Sequence, residues 1–401
     1  MAEPKLRFKR DNGSSYPIWQ ECKLDKILTE RNESHLISED APLLSFTIEQ
    51  GVIYPENKKT NKRDFLMKDK DNKKFLLTEY NDIIYNPANL KFGAIHRNAL
   101  GRGVVSPIYA IFYTNQVPDF IEGIVTNPKF IKRSLKYLEG TVIKLMTLKP
   151  KDFLKMKVFI PCPEEQQKIA DFLSSVNEVI AISEQEVAYL EMQKKAVMKK
   201  IFSQEVRFKK EDGSNYPDWE DTIVKEIGVV VTGNTPSTKE EQNYGQDYLW
   251  VTPADITKNE CVSSTNKKLS EKGWAIARHL PAGAVLVTCI ASIGKNSILA
   301  TKGSCNQQIN AIIPNGKMQS RFILEAINYK EHDLQLLGGN GGMKIVSKSL
   351  FENFELPYPC PEEQQKIADF LSNFDEAIVS AKKELELWKQ LKKGLLQQMF
   401  V

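Results

Sequence analysis

The sequence is poor in the residues from which metal sites and covalent catalysis are built, with four histidines and six cysteines in 401 residues. Cys22, Cys162, Cys261, Cys289, Cys305 and Cys360 are scattered, and no C-x-x-C pair exists, so neither a zinc site nor a disulfide framework has its spacing. Reduced thiols and no metal are expected. No apolar run approaches the roughly 20 residues needed to cross a bilayer. Met1-Ala2-Glu3-Pro4-Lys5 lacks the apolar stretch of an export signal, and a cytoplasmic chain is expected. One-signed charge is scarce too: the net charge is +4, which permits a nucleic-acid partner without indicating one.

Catalytic motifs are approached but not completed. Ser292-Ile293-Gly294-Lys295 ends like a phosphate loop, yet Cys289 stands where that motif requires glycine. Asn86-Pro87-Ala88-Asn89 lacks the aromatic residue that an adenine methyltransferase stacks on a flipped base. Gly101-Arg102-Gly103 continues as Val-Val-Ser, without the third glycine of a dinucleotide fingerprint. No catalytic residue is assigned.

What is present is an internal repeat. The fourteen residues Pro161 to Ser174 (PCPEEQQKIADFLS) recur unchanged as Pro359 to Ser372, an offset of 198. A second repeat pairs Arg7-Phe8-Lys9, Gly13-Ser14, Tyr16-Pro17 and Trp19 with Arg207-Phe208-Lys209, Gly213-Ser214, Tyr216-Pro217 and Trp219, an offset of 200. The chain is two tandem units.

Each block opens a long helix. Prolines and Glu164-Glu165 mark the start, and Lys194, Lys195, Lys199 and Lys200 crowd the end, the polarity that a helix dipole favours. Alternate steps of four and three from Ile169 give Leu173, Val176, Ile180, Ser183, Val187, Leu190, Lys194, Val197 and Ile201, a heptad seam. Ile367, Leu371, Phe374, Ile378, Ala381, Leu385, Trp388, Lys392, Leu395 and Met399 repeat it. From Ile169 to Ile201 such a helix runs about 50 Å at ~1.5 Å per residue. Two seams in one chain predict an antiparallel intramolecular coiled coil, the alternative being that each helix packs on its own domain's core.

Between the helices, strand-like runs such as Asp82-Ile83-Ile84-Tyr85 and Ala284-Val285-Leu286-Val287 alternate with Gly, Pro and Asn turns. The expected fold is α/β (mixed α+β): two globular domains separated by two long antiparallel helices in a pseudo-two-fold repeat. The segments are 1–19, which closes a pseudo-circle; 20–148, the first domain; 149–219, with a helix over 163–202; 220–346, the second domain; and 347–401, with a helix over 361–400.

The flanking helices are nearly identical and the intervening domains are not. Heptad packing explains Ile169, Phe172 and Leu173 but asks nothing of Gln166, Gln167, Lys168 and Asp171, or of Gln364, Gln365, Lys366 and Asp369. These eight are candidate partner-binding residues that present one surface twice to one kind of partner; recombination between the repeats is the alternative. Two unlike domains on a common ruler suit two readings of one duplex, separated by one or more turns of ~34 Å. The expected target is bipartite and asymmetric.

The chain resembles the specificity subunits of type I restriction-modification systems over nearly its whole length. The resemblance rests on the repeated P-x-P-E-E-Q-Q-K-I-A-x-F-L block, the Tyr-Pro-x-Trp segments, and Thr232-Gly233-Asn234-Thr235-Pro236-Ser237 leading to Tyr248-Leu249-Trp250. It extends to Gly283 to Val287, Ser292 to Lys295, Asn306-Gln307-Gln308-Ile309-Asn310 and Gly338 to Gly342. The first domain lacks the Thr-Gly-x-Thr-Pro-Ser entry and the Ser-Ile-Gly-Lys turn. The resemblance implies double-stranded DNA as ligand, two modification (methyltransferase) subunits and two restriction subunits as partners, and no membrane. It places S-adenosylmethionine, ATP and magnesium in those partners, with no cofactor on this chain.

Candidate DNA-binding residues follow. Lys58, Lys59, Lys62, Arg63, Lys68, Lys70, Lys73 and Lys74 face three aspartates and suit phosphate contact, with a solvated loop as the alternative. Arg97, Asn98 and Arg102 follow a strand and flank glycines, where Arg suits guanine and Asn suits adenine. Thr235, Ser237, Lys295, Asn306, Gln307 and Gln308 sit in turns, where capping is an equally good role. A non-DNA scaffold gathering two copies of one protein partner, or an enzyme whose site escapes these motifs, are the rival readings.

Overall fold

The computed structural model describes residues 3–58, 74–138, 147–257, 261–339 and 344–401, which form two compact units. Unit 1 comprises Met1–Ile182 with Leu385–Val401, and unit 2 comprises Ser183–Glu384. Each long helix contributes one part to each unit.

Unit 1 is built on an antiparallel sheet in the order Leu28–Glu30, Ala110–Thr114, Ile83–Tyr85, Ile95–Arg97. Ile83, Ile84 and Tyr85 are all fully buried, which is why this stretch is uniformly apolar and not alternating. The Tyr85 ring stacks on Phe153 with centroids 4.7 Å apart, and its hydroxyl donates to the Leu148 carbonyl at 2.8 Å. A smaller antiparallel sheet joins Ser34–His35, Phe75–Thr78 and Gly103–Val105. Helix α1 (Pro118–Val125) starts on a proline, whose missing N–H costs nothing in the first turn, and buries Phe120, Ile121, Ile124 and Val125. Helix α2 (Pro163–Phe202) enters the same core through Ile169 and Leu173.

Unit 2 repeats this plan with other residues. Its main sheet runs Gly228–Thr232, Ile309–Pro314, Val285–Thr288, Asn296–Leu299, Cys261–Val262, antiparallel at every junction but the last. The first four strands follow the same antiparallel path as the four of unit 1. Helix α3 (Ser320–Tyr329) packs on this sheet with Phe322, Ile323 and Ile327 buried, and helix α4 (Pro361–Met399) adds Ile367 and Leu371 to the core. The units differ in the second sheet, which here has four strands: Tyr244–Gly245, Lys268–Leu269, Tyr248–Val251 and Gly303–Cys305.

The ribbons that carry each domain into its helix are superposable in register. Gln20 faces Ile160 and Glu220 faces Tyr358 in two four-residue antiparallel pairs.

Within each unit the helices run antiparallel. In unit 2, Lys194 meets Asp375 at 2.7 Å and Glu191 meets Lys382 at 2.7 Å, so numbers fall along one helix as they rise along the other. In unit 1 the first turns of α2 share a core with Met399 and Phe400 at the end of α4. Pairing with each other and packing on a domain's core, set apart as alternatives by the sequence, therefore both occur.

The same aromatic residue plugs each helix end into its domain. Phe400 meets Phe120 of α1 at 5.4 Å with a 34° tilt, and Phe202 meets Phe322 of α3 at 5.6 Å with a 38° tilt. Burying one such ring contributes about 1.5–3 kcal/mol. Gly123 makes room for Phe400, since a Cβ there would lie 2.5 Å from the ring's Cζ.

One backbone hydrogen bond is made between residues six apart in one copy and at long range in the other. Val206 N–H donates to the Lys200 carbonyl at 3.1 Å just after α2 ends, and Leu6 N–H donates to Gln398 at 3.0 Å, joining the N-terminal segment to the end of α4. A chain opened near residue 203 and joined from 401 to 1 by a short linker is therefore expected to keep its circular dichroism spectrum and cooperative melting. A permutant without folded structure would contradict this equivalence.

Candidate nucleic-acid interface and the frame that holds it

The repeated block forms a clamp at the start of each long helix. Glu165 and Glu363 are completely buried and each accepts a two-point ion pair: Arg7 at 3.0 and 2.8 Å, and Arg207 at 3.3 and 2.8 Å. The same guanidinium groups donate to the carbonyls of Pro17 (2.7 Å) and Pro217 (2.6 Å), so each arginine ties the Tyr-Pro-x-Trp segment to the helix start. Paired, fork-shaped contacts of this kind are geometrically selective, and lysine would not replace them. Phe8 meets Phe172 edge-on at 5.5 Å, and Phe208 meets Phe370 at 5.6 Å.

Four of the eight candidate partner-binding residues turn inward or are spent locally, which corrects the expectation drawn from the heptad. Gln166 is fully buried; its amide donates to Gln116 (2.9 Å) and to the Pro161 carbonyl (3.0 Å), and its oxygen accepts the Val117 N–H at 3.3 Å. Gln364 is equally buried, donating to Pro359 (2.9 Å) and Lys317 (3.4 Å) and accepting Gln319 N–H at 3.2 Å. Lys168 donates to the Lys9 carbonyl at 3.2 Å and pairs with Asp11 at 2.5 Å, and Lys366 donates to the Lys209 carbonyl at 2.8 Å. An unpaired buried amide or carboxylate is costly, which is reason enough for identity at these positions. Gln167 with Asp171 and Gln365 with Asp369 form exposed hydrogen-bonded pairs one turn apart, at 2.7 and 2.6 Å, and remain on the surface.

Val117 and Gln319, the residues whose N–H groups the two buried glutamines accept, immediately precede α1 and α3. The two domains thus hang from the repeat by an equivalent helix at an offset of 202, which places Phe120 opposite Phe322, Gly123 opposite Glu325 and Asp119 opposite Arg321.

In unit 2 this helix takes part in a buried ionic cluster. Lys194, on the heptad seam, donates to Glu325 at 2.8 Å and to both oxygens of Asp375 at 2.7 and 2.8 Å, and Arg321 also pairs with Asp375. Burial pushes the Asp375 carboxyl up to about 6, against the pull of Lys194 and Arg321.

Among the DNA-contact candidates of unit 1, Lys59, Lys62, Arg63, Lys68, Lys70 and Lys73 lie outside the described residues, while Lys58 is half-buried and Lys74 exposed. Asn98 is corrected: it is completely buried, donates to Thr78, Glu79 and Gly101, and accepts the N–H groups of Leu100 and Gly101, so it shapes a turn and offers nothing to a base edge. Arg97 is spent likewise on Glu122 (3.2 Å), Asp119 (2.5 Å) and Asn81 (2.7 Å). Arg102 is exposed and pairs with Glu79 and, at 3.3 Å, with Asp40.

Unit 2 gathers its motif residues. Gly233 passes so near the Cys305 carbonyl that a Cβ would lie 2.2 Å from it, which brings the Thr232–Ser237 loop against the turn after Cys305. Thr235 and Gln307, both exposed, share a hydrogen bond across this junction. Asn306 is nearly buried and donates to Gln308 at 2.9 Å while accepting its N–H at 3.1 Å, a capping role. Lys295 donates to the Pro253 carbonyl at 2.9 Å, and Ser237 is exposed. Cys289 N–H donates to Gln308, which attaches the 289–295 turn to the same cluster. The exposed polar edge of this cluster is Thr235, Ser237 and Gln307. Sequence reasoning missed the neighbouring ring stack, in which Trp274 lies 4.4 Å from Tyr248 and 3.8 Å from His279.

All six cysteines are free thiols, and burial raises Cys289 to about 11 and Cys305 to about 12, so both stay protonated at neutral pH. Among the described residues no group of three or more His, Cys, Asp or Glu could hold a metal, and no helix is long and apolar enough to cross a membrane.

Residues 216–387 match the family described as the type I restriction modification DNA specificity domain. The chain is 34% identical over 207 residues to the type I restriction enzyme MjaIX specificity subunit of Methanocaldococcus jannaschii, covering 50% of this chain and 48% of that one. It is 26% identical over 280 residues to the MjaX specificity subunit of the same organism, named as putative, covering 66% of this chain and 63% of that one. The chain thus spans about half to two thirds of these relatives' length. The type I restriction-modification S subunit of M. genitalium shares the fold, with a TM-score of 0.59 and 14% identity over 100% of this chain and 99% of that one. The specificity-subunit resemblance drawn from the repeated block and the Thr-Gly-Asn-Thr-Pro-Ser motif holds, and the mixed α/β fold with long helices is that of the family's solved members.

Replacing Lys194 by Met leaves two carboxylates buried without their ammonium and is expected to destabilise unit 2 by about 3–5 kcal/mol. The raised Asp375 sets a sign for pH. Between about 4 and about 6 the native carboxyl holds a proton that the unfolded chain has released, so its contribution to stability falls as pH rises through that window. Hydrogen exchange at α3 against pH should show this slope in the wild type and a flatter one in Asp375→Asn; identical profiles would contradict the assignment.

Proposed function

We propose that this chain is the non-catalytic, cytoplasmic DNA-reading subunit of a type I restriction-modification complex, each domain reading one part of a bipartite, asymmetric duplex target. The observation that carries the proposal is the paired frame: the same ribbon, arginine–glutamate clamp, buried glutamine and helix-end phenylalanine hold two domains with a common core sheet but different second sheets and loops. Holding unlike readers in like settings is what reading two different words demands, whereas a single repeated partner would favour like domains.

In this reading the recognition domains are residues 20–148 and 220–346, and the helices set the spacing between half-sites. Thr235, Ser237, Gln307 and Arg102 would meet phosphates or base edges, Arg102 by exchanging its pairs with Glu79 and Asp40, and the lysines around 58–74 would supply salt-sensitive affinity for phosphate. The exposed pairs Gln167–Asp171 and Gln365–Asp369 offer matching surfaces to two modification subunits. Those partners would supply S-adenosylmethionine-dependent methylation, and two restriction subunits would supply ATP- and magnesium-dependent cleavage.

Exchanging residues 20–148 for those of another family member and sequencing the methylated sites of the reconstituted complex tests the proposal. A change in one half of the site and none in the other is expected. Changes in both halves would reject independent reading, and salt-independent association with duplex DNA would favour a protein scaffold over a DNA reader.

A further inference from the structure

An exposed guanidinium in unit 2 is aimed but not neutralised. Arg7, Arg31, Arg97, Arg102, Arg207 and Arg321 each pair with a carboxylate. Arg278 does not. Among the described residues its exposed side chain has one hydrogen-bond partner, the Thr232 carbonyl, to which Nη1 donates at 2.6 Å, and no ion-pair partner. The backbone that carries it is pinned on both sides. Asn234 brackets the segment: its Oδ1 accepts the Arg278 N–H at 2.8 Å, and its Nδ2 donates to the Ile276 carbonyl at 3.1 Å. Next along the chain, the His279 ring lies on Trp274 with centroids 3.8 Å apart and an interplanar angle of 2°. Leu280 is buried and exchanges both main-chain hydrogen bonds with Gly303, at 2.8 and 3.0 Å. A charge held on so constrained a stretch loses little freedom when it meets a ligand.

What the guanidinium leaves free decides the ligand. With Nη1 on the Thr232 carbonyl, Nε and Nη2 form a planar two-donor fork. Such a fork fits a pair of acceptor atoms, either O6 and N7 of a guanine in the major groove or two oxygens of a phosphate. The loop that takes Nη1 is the one that carries Thr235 and Ser237 and meets Gln307, so Arg278 and that exposed polar edge share one support. Unlike Arg102, Arg278 can meet an acceptor without breaking an ion pair. We infer that Arg278 is a DNA contact of unit 2 that grips two acceptors of the duplex through Nε and Nη2, with Asn234 as its positioning residue. The inference rests on the proposed DNA-reading function and adds to it a residue that supplies positive charge to the unit 2 edge.

The test is duplex binding by the complex reconstituted with modification subunits, measured against salt, together with sequencing of the sites that the complex methylates. Arg278→Gln is expected to weaken binding about tenfold or more while the chain stays folded by circular dichroism. Arg278→Lys keeps the charge but not the fork, and so separates the two acceptors. Relaxed choice at one base pair of one half-site, not restored by lysine, would assign the fork to guanine. A uniform loss across sequences, with a salt slope lowered by about one and restored by lysine, would assign it to a phosphate. Asn234→Ala should weaken binding on its own and add nothing to Arg278→Gln; additive losses would overturn its positioning role. Affinity, salt slope and methylated sites all unchanged in folded Arg278→Gln would overturn the inference alone. A wild-type complex that binds no duplex would reject the proposed function and the inference with it.

Discussion

The structure depends on the pairing of a buried glutamate and a buried glutamine at the start of each long helix. Glu165 and Glu363 are out of water, and on each an arginine more than 150 residues away in sequence closes a two-point ion pair, joined at Glu363 by the Trp219 indole N–H at 2.8 Å. Gln166 and Gln364 are buried beside them, and the side-chain oxygen of each accepts the N–H that precedes α1 or α3. Each clamp therefore fixes three things at once: the helix start, the segment that carries Arg7 or Arg207, and the first helix of a domain. Breaking one partner leaves a charge or amide unpaired in a medium that penalises it.

This constraint explains why the fourteen-residue block is invariant between the copies while the domains are not. A domain needs only to present an N–H to the glutamine and a phenylalanine to the helix end. Val117 and Gln319 meet the first need through the backbone, which any residue but proline can supply, and Phe120 and Phe322 meet the second. Beyond those points a domain is free to change, and it has: the second sheet differs in strand number, and Gly123 and Asp119 stand where the other copy has Glu325 and Arg321. The frame tolerates exchange because its interactions are concentrated in so few places.

Much of the helical frame was legible in the sequence, since two seams of period seven and identical capping blocks leave little freedom in where a helix begins. The inward direction of the glutamines was legible too and was missed: one more step of three back along each seam from Ile169 and Ile367 lands on Gln166 and Gln364. Lys194, a charge on a seam, likewise signalled buried counter-ions without saying which. The kinship of the two domains was not legible. A sheet keeps its strand path through packing and main-chain hydrogen bonds that many sequences satisfy, so Ile83-Ile84-Tyr85 and Val285-Leu286-Val287 occupy like places without residue-by-residue similarity. Nor could composition separate a turn-shaping asparagine such as Asn98 from one that faces solvent, because burial is decided by distant partners.

The most direct test of the central claim, that one frame holds two interchangeable readers, is to replace residues 20–148 with a second copy of residues 220–346 and sequence the sites methylated by the reconstituted complex. The account predicts a folded chain whose target has two identical half-sites. An unchanged asymmetric target, or a chain that cannot fold with the same domain in both places, would contradict it.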